Sequence, residues 1–443
     1  MGLPSLLLLA ALSAFPPDAE IHKILADRID VQKQADAIVV GVIDSSGRRV
    51  VAHGGVDGDT LFEIGSATKV FTSLLLADAV QRGEVALTDP VSKFLPAGVR
   101  VPERGGKKIT LADLATHTSG LPSLPANFAP KDLSNPYADY TVQQLYDFLS
   151  HYELQRDIGA RFEYSNLGVG LLGHALALRA KMSYEALVRT RILEPLKMKS
   201  TTITLSDAQK KRLVAGHDPS GGIAKNWDFP TLAGAGALRS SANDLLDFLS
   251  AELGFTKSPL ASAMSAQLAT RRPSGNPILE IALGWLIFKT PSGQEIVWHN
   301  GGTGGYRSFI GFDPKKRAGV VVLSNRFTTA GVDDIGRHLL DPSSPLMEPA
   351  KVRKEIALDE KVLERYVGTY ELAPTFAITI TREGTHLFEQ ATGQPRFEIF
   401  AESERDFFLK VVDAQITFEV DAEGRVTGMV LHQNGQNAPG KRK

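Results

Sequence analysis

The sequence contains no cysteine, and this absence excludes several kinds of chemistry. Without thiols the protein forms no disulfide bond, no thiolate zinc site and no cysteine nucleophile. The formal net charge is only -1, so we expect no general attraction to nucleic acid or to anionic membranes. No apolar run after residue 20 reaches the length of a membrane span, so we expect no integral membrane segment.

The first twenty residues differ in character from the rest of the chain. An apolar core at residues 6–12 is surrounded by small residues near positions 11–14, which is typical of a short signal peptide. No Lys or Arg precedes that core, which is a departure from the usual pattern. We predict a signal peptide at residues 1–20 and a periplasmic or secreted protein.

The full chain of 443 residues is long enough for two or three domains with separate cores. Apolar periodicity predicts helices at residues 18–34, from position 66 to about 83, and at 109–118, 141–151, 166–178 and 184–193. Strands are predicted at 37–44, at 49–52 and three times between residues 282 and 325. Strands at both ends with helices between them favour an α+β domain whose antiparallel sheet is assembled from distant segments.

The carboxy-terminal part of the chain follows a different pattern. We predict a first domain at residues 21–345, a linker at 346–357 and a small all-β domain at 358–443. Short alternating segments separated by turn signals indicate the strands of that domain. The polar residues 434–443 are predicted to form a disordered basic tail.

Ser66 and Lys69 begin the apolar helix and are the first candidate catalytic residues. Residues i and i+3 lie one above the other on a helix, so the Lys69 amine is expected beside the Ser66 hydroxyl. A serine needs a base within hydrogen-bond reach to become a nucleophile, and a lysine can act as that base if burial lowers its pKa. A helix cap with a solvated lysine is the alternative interpretation of so short a motif.

Two further motifs carry polar groups into loops beside apolar segments. Tyr164 and Asn166 offer a phenol and an amide before an apolar helix, although a half-buried loop tyrosine is the alternative. His299, Asn300 and Gly301 follow an apolar strand, where glycines allow a substrate backbone to approach closely. The proline-rich loop at residues 119–140 is long enough to predict a wall of the substrate cleft.

Together these motifs resemble the penicillin-recognising serine hydrolases, in the branch of class C β-lactamases, D-alanyl-D-alanine carboxypeptidases and related esterases. The order Ser-x-x-Lys, Tyr-x-Asn and His-x-Gly is kept, and the resemblance extends over roughly residues 21–345. It implies a helical subdomain beside an antiparallel sheet flanked by helices, with the site at their junction. It also implies that residues 21–345 are a catalytic domain and that the small all-β domain at 358–443 is barrel-like. It implies no cofactor and no metal.

The resemblance also implies a role for each motif residue. Ser66 is expected to be the nucleophile, with Lys69 and Tyr164 as bases and Tyr164 as the proton donor to the leaving group. The N–H groups of Ser66 and Gly302 are expected to form the oxyanion hole. The residues expected to bind substrate are Asn166, His299, Asn300, Gly301 and Arg307.

The third motif departs from the class C pattern, because His299 replaces a lysine and Asn300 replaces a threonine. A partly charged histidine is expected to attract a substrate carboxylate less than a lysine does, and Arg307 is a candidate substitute. We expect a β-lactam substrate first, with a D-Ala-D-Ala peptide or a short-chain ester as alternatives. A β-lactam sensor that is acylated without turnover is the non-enzyme alternative.

Overall fold

The computed structural model describes residues 13–290, 293–328, 331–347, 353, 355–373, 376–392, 396–410, 414–433 and 436–443. The chain divides into two compact units, Met1–Met347 and Glu348–Lys443, which are described separately below. The apolar core of the predicted signal peptide and parts of the predicted linker lie outside the described residues. None of the helices in the described part of the chain is long and apolar enough to cross a membrane.

The first unit alternates helices with the strands of one large sheet and two small ones. Its helices are α1 Asp18–Ala26, α2 Thr68–Gln81, α3 Leu111–Ala115, α4 Val142–His151, α5 Asn166–Ala180, α6 Tyr184–Val188, α7 Asp207–Lys210, α8 Ala242–Glu252, α9 Ala261–Ala269 and α10 Asp333–Leu340. Its strands are β1 Ile38–Asp44, β2 Gly47–His53, β3 Phe62–Glu63, β4 Glu103–Arg104, β5 Lys107–Lys108, β6 Arg239–Ser240, β7 Arg272–Pro273, β8 Leu279–Ile281, β9 Leu286–Lys289, β10 Glu295–Gly302, β11 Arg307–Asp313 and β12 Ala318–Ser324.

The large sheet is antiparallel with the order β2-β1-β12-β11-β10-β9-β8-β7. Strand β1 pairs with β12, so segments nearly three hundred residues apart become neighbours, as the sequence predicts. Every residue of β1 and β12 is buried because helices cover both faces of the sheet. Val321 faces the core that contains α2 and α8, whereas Val320 and Val322 face the core that contains α1 and α10.

Helix α2 is buried along most of its length. The sequence predicts one apolar face, but residues Thr68 through Ala79 are all buried in the structure. A helix that is buried all round lies inside the domain rather than on its surface. Its amino terminus carries the Ser66 motif, so this motif is held in the centre of the unit.

One predicted helix is shorter in the structure, and another helix starts with half of a capping box. The predicted helix at residues 109–118 is the shorter α3, which Thr110 caps at its start and which ends before His117, a residue with a φ of +58°. At the start of α8 the Ser241 side chain accepts a hydrogen bond from the Asp244 backbone N–H, the first bond of a capping box. The Asp244 carboxylate does not complete the box, because it accepts bonds from the backbone N–H groups of Ser200 and Thr201.

The predicted signal-peptide boundary at residue 20 falls inside α1. The residues just before this helix are part of the fold. Phe15 is buried in the sheet core, and the Asp44 carboxylate accepts hydrogen bonds from the Ser13 hydroxyl at 2.8 Å and from the Ala14 N–H at 2.7 Å. Cleavage after residue 20 would therefore remove packed residues and part of the first helix.

The second unit is a closed antiparallel barrel with one short helix, α11 Glu360–Glu364. Its strands are β13 Gly368–Ala373, β14 Phe376–Glu383, β15 His386–Ala391, β16 Arg396–Ala401, β17 Asp406–Leu409, β18 Ala414–Val420, β19 Val426–Gln433 and β20 Gln436–Arg442. Aromatic rings fill its interior, where Tyr366 stacks on Phe418 with a centroid distance of 4.3 Å.

The predicted disordered tail at residues 434–443 is wrong for residues 436–442. These residues form β20, which pairs with β19 along its length and with β13 at Tyr370 and Glu371. Strand β20 thus closes the barrel and removes the free edge that β13 would otherwise present. Its Pro, Gly, Lys and Arg residues hid the strand from a prediction based on composition.

Candidate active site

The turn before α2 holds Ser66 against the end of strand β10. Gly65 has a φ of +49°, a conformation that favours glycine, and a Cβ on it would lie 2.7 Å from the backbone N of Gly302. A Cβ on Gly301 would lie only 1.9 Å from the carbonyl oxygen of Ile64. The two segments therefore pack backbone against backbone. This contact brings Ser66 and Gly302, the two predicted oxyanion donors, into one site.

Lys69 is completely buried and its amine is surrounded by oxygen atoms. Its Nζ lies 2.9 Å from the Ser66 hydroxyl, 2.7 Å from Oδ1 of Asn166 and 2.7 Å from the carbonyl oxygen of Ala235. Burial lowers the pKa of Lys69 well below its ordinary value, because a charge is costly away from water. The predicted contact between Ser66 and Lys69 is present, and the solvated-lysine alternative is wrong.

The chemistry of these three oxygens decides what Lys69 does to Ser66. The oxygens of Asn166 and Ala235 can only accept hydrogen bonds. In its neutral form the amine has two N–H groups, which these two oxygens can accept, and one lone pair, which is then available to the Ser66 hydroxyl. The geometry therefore directs the serine proton toward a basic nitrogen.

Tyr164 lies close to both Lys69 and Ser66. The Lys69 nitrogen is 4.8 Å from the centre of the Tyr164 ring. Burial raises the pKa of Tyr164 above its ordinary value, and a hydrogen bond with Ser66 opposes this shift. The phenol is therefore protonated near neutral pH, which suits a proton donor better than the base that the sequence also predicts.

Asn166 is fixed by contacts at both ends of its amide. Its oxygen accepts from Lys69, while its Nδ2 donates to the hydroxyl of Tyr137 at 3.2 Å. Tyr137 belongs to the long loop that the sequence predicts as a cleft wall, and it stacks on Phe229 at 4.3 Å and lies 5.6 Å from the Trp227 ring. Aromatic side chains thus stand beside the amide that is predicted to bind substrate.

His299 is in the site but does not carry the expected partial charge. It is 2 % exposed, and its Nδ1 lies 2.6 Å from the backbone oxygen of Asn300. Burial and the nearby Lys69 lower its pKa to about 3, although the bond to Asn300 opposes this. A carbonyl oxygen only accepts, so Nδ1 carries the proton and Nε2 is the acceptor of the neutral ring. The lowered pKa reduces the attraction of His299 for a carboxylate further than the sequence predicts.

The structure does not bring the Asn300 side chain to the site. Side chains alternate along β10, so His299 and Gly301 face Ser66 while Trp298 and Asn300 face α10. The Asn300 amide donates to the Asp333 carboxylate at 2.6 Å. Its predicted part in substrate binding does not fit this placement.

Arg307 is half-buried beside the end of β10, not a free surface residue. A Cβ on Gly302 would lie 2.7 Å from Nη1 of Arg307, while Nε of Arg307 donates to the backbone oxygen of Thr328 at 2.8 Å. The guanidinium also lies 3.9 Å from the centre of the Phe327 ring. Burial lowers the pKa of Arg307 and Asp333 opposes this, but an arginine remains a cation in proteins.

Sequence reasoning missed three groups in this site. The carbonyl of Ala235 and the hydroxyl of Tyr137 hold Lys69 and Asn166, and the ring of His117 stacks on Tyr164 at 4.6 Å. A backbone carbonyl leaves no signal in a sequence, and the two side chains lie in loops. Within the described residues, no group of three or more His, Asp or Glu side chains is arranged to hold a metal ion.

Comparison with protein families matches both units. Residues 22–341 match the family model described as Beta-lactamase. Residues 352–442 match a model described as a domain of unknown function, DUF3471.

Individual relatives agree with the family match. The chain is 30% identical over 358 residues to the D-alanyl-D-alanine-carboxypeptidase/endopeptidase AmpH of Escherichia coli, covering 73% of this chain and 90% of AmpH. It is 27% identical over 406 residues to penicillin-binding protein 4* of Bacillus subtilis, covering 85% and 86% of the two chains.

Solved structures give the same result. A class C β-lactamase of Rhodobacter sphaeroides aligns with a TM-score of 0.60 at 28% identity, covering 70% of this chain and 95% of that one. A β-lactamase/D-alanine carboxypeptidase of Yersinia pestis aligns with a TM-score of 0.63 at 25% identity, covering 75% and 99%. The predicted α+β fold with a helical subdomain and an all-β domain is confirmed. The chain belongs to the β-lactamase family of penicillin-recognising serine hydrolases and is a hydrolase.

Proposed function

We propose that this hydrolase acts through an acyl-enzyme on Ser66 and opens the amide bond of a β-lactam. The observation that supports this most directly is the position of Lys69, whose buried amine meets Ser66, Asn166 and the Ala235 carbonyl at 2.7–2.9 Å. Two of these contacts take its N–H groups and the third leaves its lone pair for the serine proton.

Each proton of the proposed reaction has a donor and an acceptor in the site. Ser66 Oγ bonds to the substrate carbonyl carbon while its proton passes to Lys69, and the N–H groups of Ser66 and Gly302 bind the oxyanion. The C–N bond then breaks as the Tyr164 phenol gives its proton to the leaving nitrogen, and Lys69 returns a proton to Tyr164. In deacylation the proton transfers run in reverse. Tyr164 gives its proton to Lys69 and takes one from the attacking water, and Lys69 gives a proton to Ser66 Oγ as the bond between Oγ and the acyl group breaks.

Recognition of the substrate carboxylate is assigned to Arg307 rather than to His299. His299 is neutral because its pKa is about 3, whereas Arg307 is charged and lies beside Gly302. A D-Ala-D-Ala peptide carries a carboxylate like a β-lactam does, and the AmpH relative is named a D-alanyl-D-alanine-carboxypeptidase. Peptidase activity is therefore the second candidate.

Intact-protein mass spectrometry with a penicillin tests the acyl-enzyme. We expect an adduct on Ser66 that decays as the product is released, and no adduct in Ser66→Ala. A permanent adduct would identify a β-lactam sensor instead of an enzyme. An unmodified wild-type protein, with penicillin and with an activated ester, would contradict the proposal.

Steady-state kinetics with three substrates separate the candidates. A cephalosporin, a D-Ala-D-Ala peptide and a butyrate ester are compared for the wild type and for Arg307→Gln. If Arg307 binds the carboxylate, this variant raises KM for the first two substrates and leaves the uncharged ester unchanged. Efficient ester turnover with slow hydrolysis of the other two would assign the protein to the esterases.

The two units are proposed to be separable domains, a catalytic domain at residues 21–345 and a β domain from about residue 358. Limited proteolysis is expected to cut between residues 342 and 360. Loss of all activity from a trimmed and still folded catalytic domain would show that the β domain takes part in catalysis.

Export to the periplasm or the medium is also proposed, on the basis of the apolar run at residues 6–12. Ser13 and Ala14 bind Asp44, so cleavage at residue 20 would remove these two contacts. The amino-terminal sequence of the exported protein tests both points.

A further inference from the structure

His117 contacts three consecutive residues that include Tyr164. Its backbone oxygen accepts a hydrogen bond from the N–H of Glu163 at 2.8 Å, and its ring Nδ1 lies 3.0 Å from the N–H of Ser165. Between these two bonds its ring stacks on the Tyr164 ring, with centroids 4.6 Å apart and planes inclined by 26°. One residue therefore holds the backbone before and after Tyr164 as well as the face of its ring.

The backbone of His117 is in a conformation that few side chains adopt. Its φ is +58°, in the left-handed region, directly after helix α3. A non-glycine residue held there by its surroundings stores local strain, and such residues cluster at functional sites. The surroundings are the two bonds to the Glu163 and Ser165 N–H groups and the Tyr164 stack. Glycine at this position would relieve the strain but could make neither the stack nor the side-chain bond.

The hydrogen bond to Ser165 also fixes the chemical state of the ring. A backbone N–H can only donate, so Nδ1 is the unprotonated acceptor and the proton lies on Nε2. Burial lowers the pKa of His117 well below its ordinary value, and the nearby Lys69 and His299 add to this shift. His117 is thus a neutral ring that adds no charge to the site, which leaves orientation as its contribution.

We propose that His117 is a positioning residue for proton transfer by Tyr164. It sets the distance from the Tyr164 hydroxyl to the leaving group by clamping residues 163–165, without touching the reacting atoms itself. This inference rests on the proposed acyl-enzyme mechanism, in which Tyr164 protonates the leaving group. Lys69 and Ser66 are on α2 and the turn before it, which His117 does not clamp.

Three substitutions separate the features of His117. His117→Asn keeps an acceptor where Nδ1 stands and tolerates the left-handed backbone, but it loses the ring. His117→Phe keeps a ring of similar shape and leaves the Ser165 N–H without its acceptor. His117→Ala removes both. Thermal melting shows which variants are folded.

The readout is the dependence of acylation on the leaving group. A p-nitrophenyl ester expels an anion that needs no proton, whereas a β-lactam amide requires one. If the wild type opens no β-lactam, the β-lactam is replaced by the ethyl ester of the acid used in the p-nitrophenyl ester, because its leaving group also requires a proton. We expect His117→Phe and His117→Ala to slow acylation by the β-lactam, or by the ethyl ester, about 100-fold, as a misplaced catalytic group does. The same substitutions should slow acylation by the p-nitrophenyl ester far less. His117→Asn is expected to stay within about tenfold, because the acceptor is kept.

A double-mutant cycle with Tyr164→Phe tests whether His117 acts through the Tyr164 hydroxyl. In a protein that already lacks that hydroxyl, His117→Phe should reduce the rate of acylation by the β-lactam or the ethyl ester little further. Equal slowing of both substrates, or full losses that multiply in the double variant, would assign His117 a general structural role and overturn the inference. Variants as fast as the wild type would overturn it as well. If none of these compounds acylates the wild-type protein, the proposed function itself is wrong.

Discussion

Replacing Asn166 by aspartate would place a carboxylate against the proposed general base. The two side chains have nearly the same shape, and Oδ1 of Asn166 already lies 2.7 Å from Nζ of Lys69. The acceptor is therefore kept and a negative charge is added. Because burial alone keeps the pKa of Lys69 well below its ordinary value, a neighbouring anion should reverse much of that shift.

The size of the effect follows from the distance. Two unit charges 2.7 Å apart attract with about 6 kcal/mol at an effective dielectric constant of about 20. This equals roughly four pKa units at 1.36 kcal/mol each, before the cost of burying the new carboxylate is subtracted. We expect the pKa of Lys69 to rise by at least about two units, so the neutral amine becomes at least about 100-fold rarer at any pH below the wild-type pKa of Lys69.

Pre-steady-state acylation by p-nitrophenyl acetate, followed over a range of pH, measures this change. That ester has no amide side chain, so the loss of amide recognition by Asn166 does not enter. At a pH below the wild-type pKa of Lys69, the acylation rate of Asn166→Asp should be at least about 100-fold lower, and it should recover as pH rises because the base limb of the profile moves upward. Asn276→Asp, the same chemical change in an exposed turn, is the matched control and should leave the profile in place.

A different pattern would refute the reasoning. If Asn166→Asp lost the same factor at every pH, the aspartate would be disturbing geometry and Lys69 would not titrate as the base. If the variant kept the wild-type rate and profile, the contact between Lys69 and Asn166 would have no part in setting the basicity of the amine.

Three further outcomes are expected. Gly65→Ala should lose acylation and stability together, because the new Cβ would lie 2.7 Å from the Gly302 nitrogen at a φ of +49°, and circular dichroism with the p-nitrophenyl ester assay checks both. Because the pKa of His299 in the folded protein is about 3, only the unfolded chain binds this proton between pH 3 and 6.5. The free energy of unfolding, measured with denaturant, should therefore fall by about 1.4 kcal/mol for each pH unit of acidification in this range. His299→Gln should make this dependence on pH less steep. Glu389→Leu should stabilise the barrel unit by about 1 kcal/mol, most clearly at alkaline pH, because burial raises the pKa of Glu389 and no partner for it is found among the described residues; equal melting temperatures at pH 8 would contradict this.

The contact between Ser66 and Lys69 could be predicted because the spacing of the two residues is local. Ser66 and Lys69 meet for the reason that any i and i+3 residues meet at the start of a helix, and the contact is observed at 2.9 Å. The alternation of side chains along a strand likewise predicts which residues of the motif His299-Asn300-Gly301 share one face of β10. Had alternation been applied to β10, it would have placed Asn300 on the opposite face from His299, where Asp333 binds it.

Other features could not be predicted because the sequence does not encode them locally. The Ala235 carbonyl that binds Lys69 is a backbone atom 166 residues away in the chain. The charge of His299 depends on its burial, which arises where β10 packs against the turn at residues 65–67. The last strand escaped prediction because its apolar content is low, and its pairing with β13 and β19 supplies the order that its composition does not.

These electrostatic features lead to one view of substrate choice. Burial lowers the pKa values of Lys69, His117 and His299, so the buried part of the site favours the neutral form of each of these groups. A neutral Lys69 can take the serine proton, and a neutral His299 offers an acceptor rather than a cation. Under the proposed function, attraction for an anionic substrate comes from Arg307, which lies half-buried next to Gly302. The proposal thus assigns acyl transfer and carboxylate recognition to different residues, and it predicts that a change at Arg307 alters the substrate without altering the base.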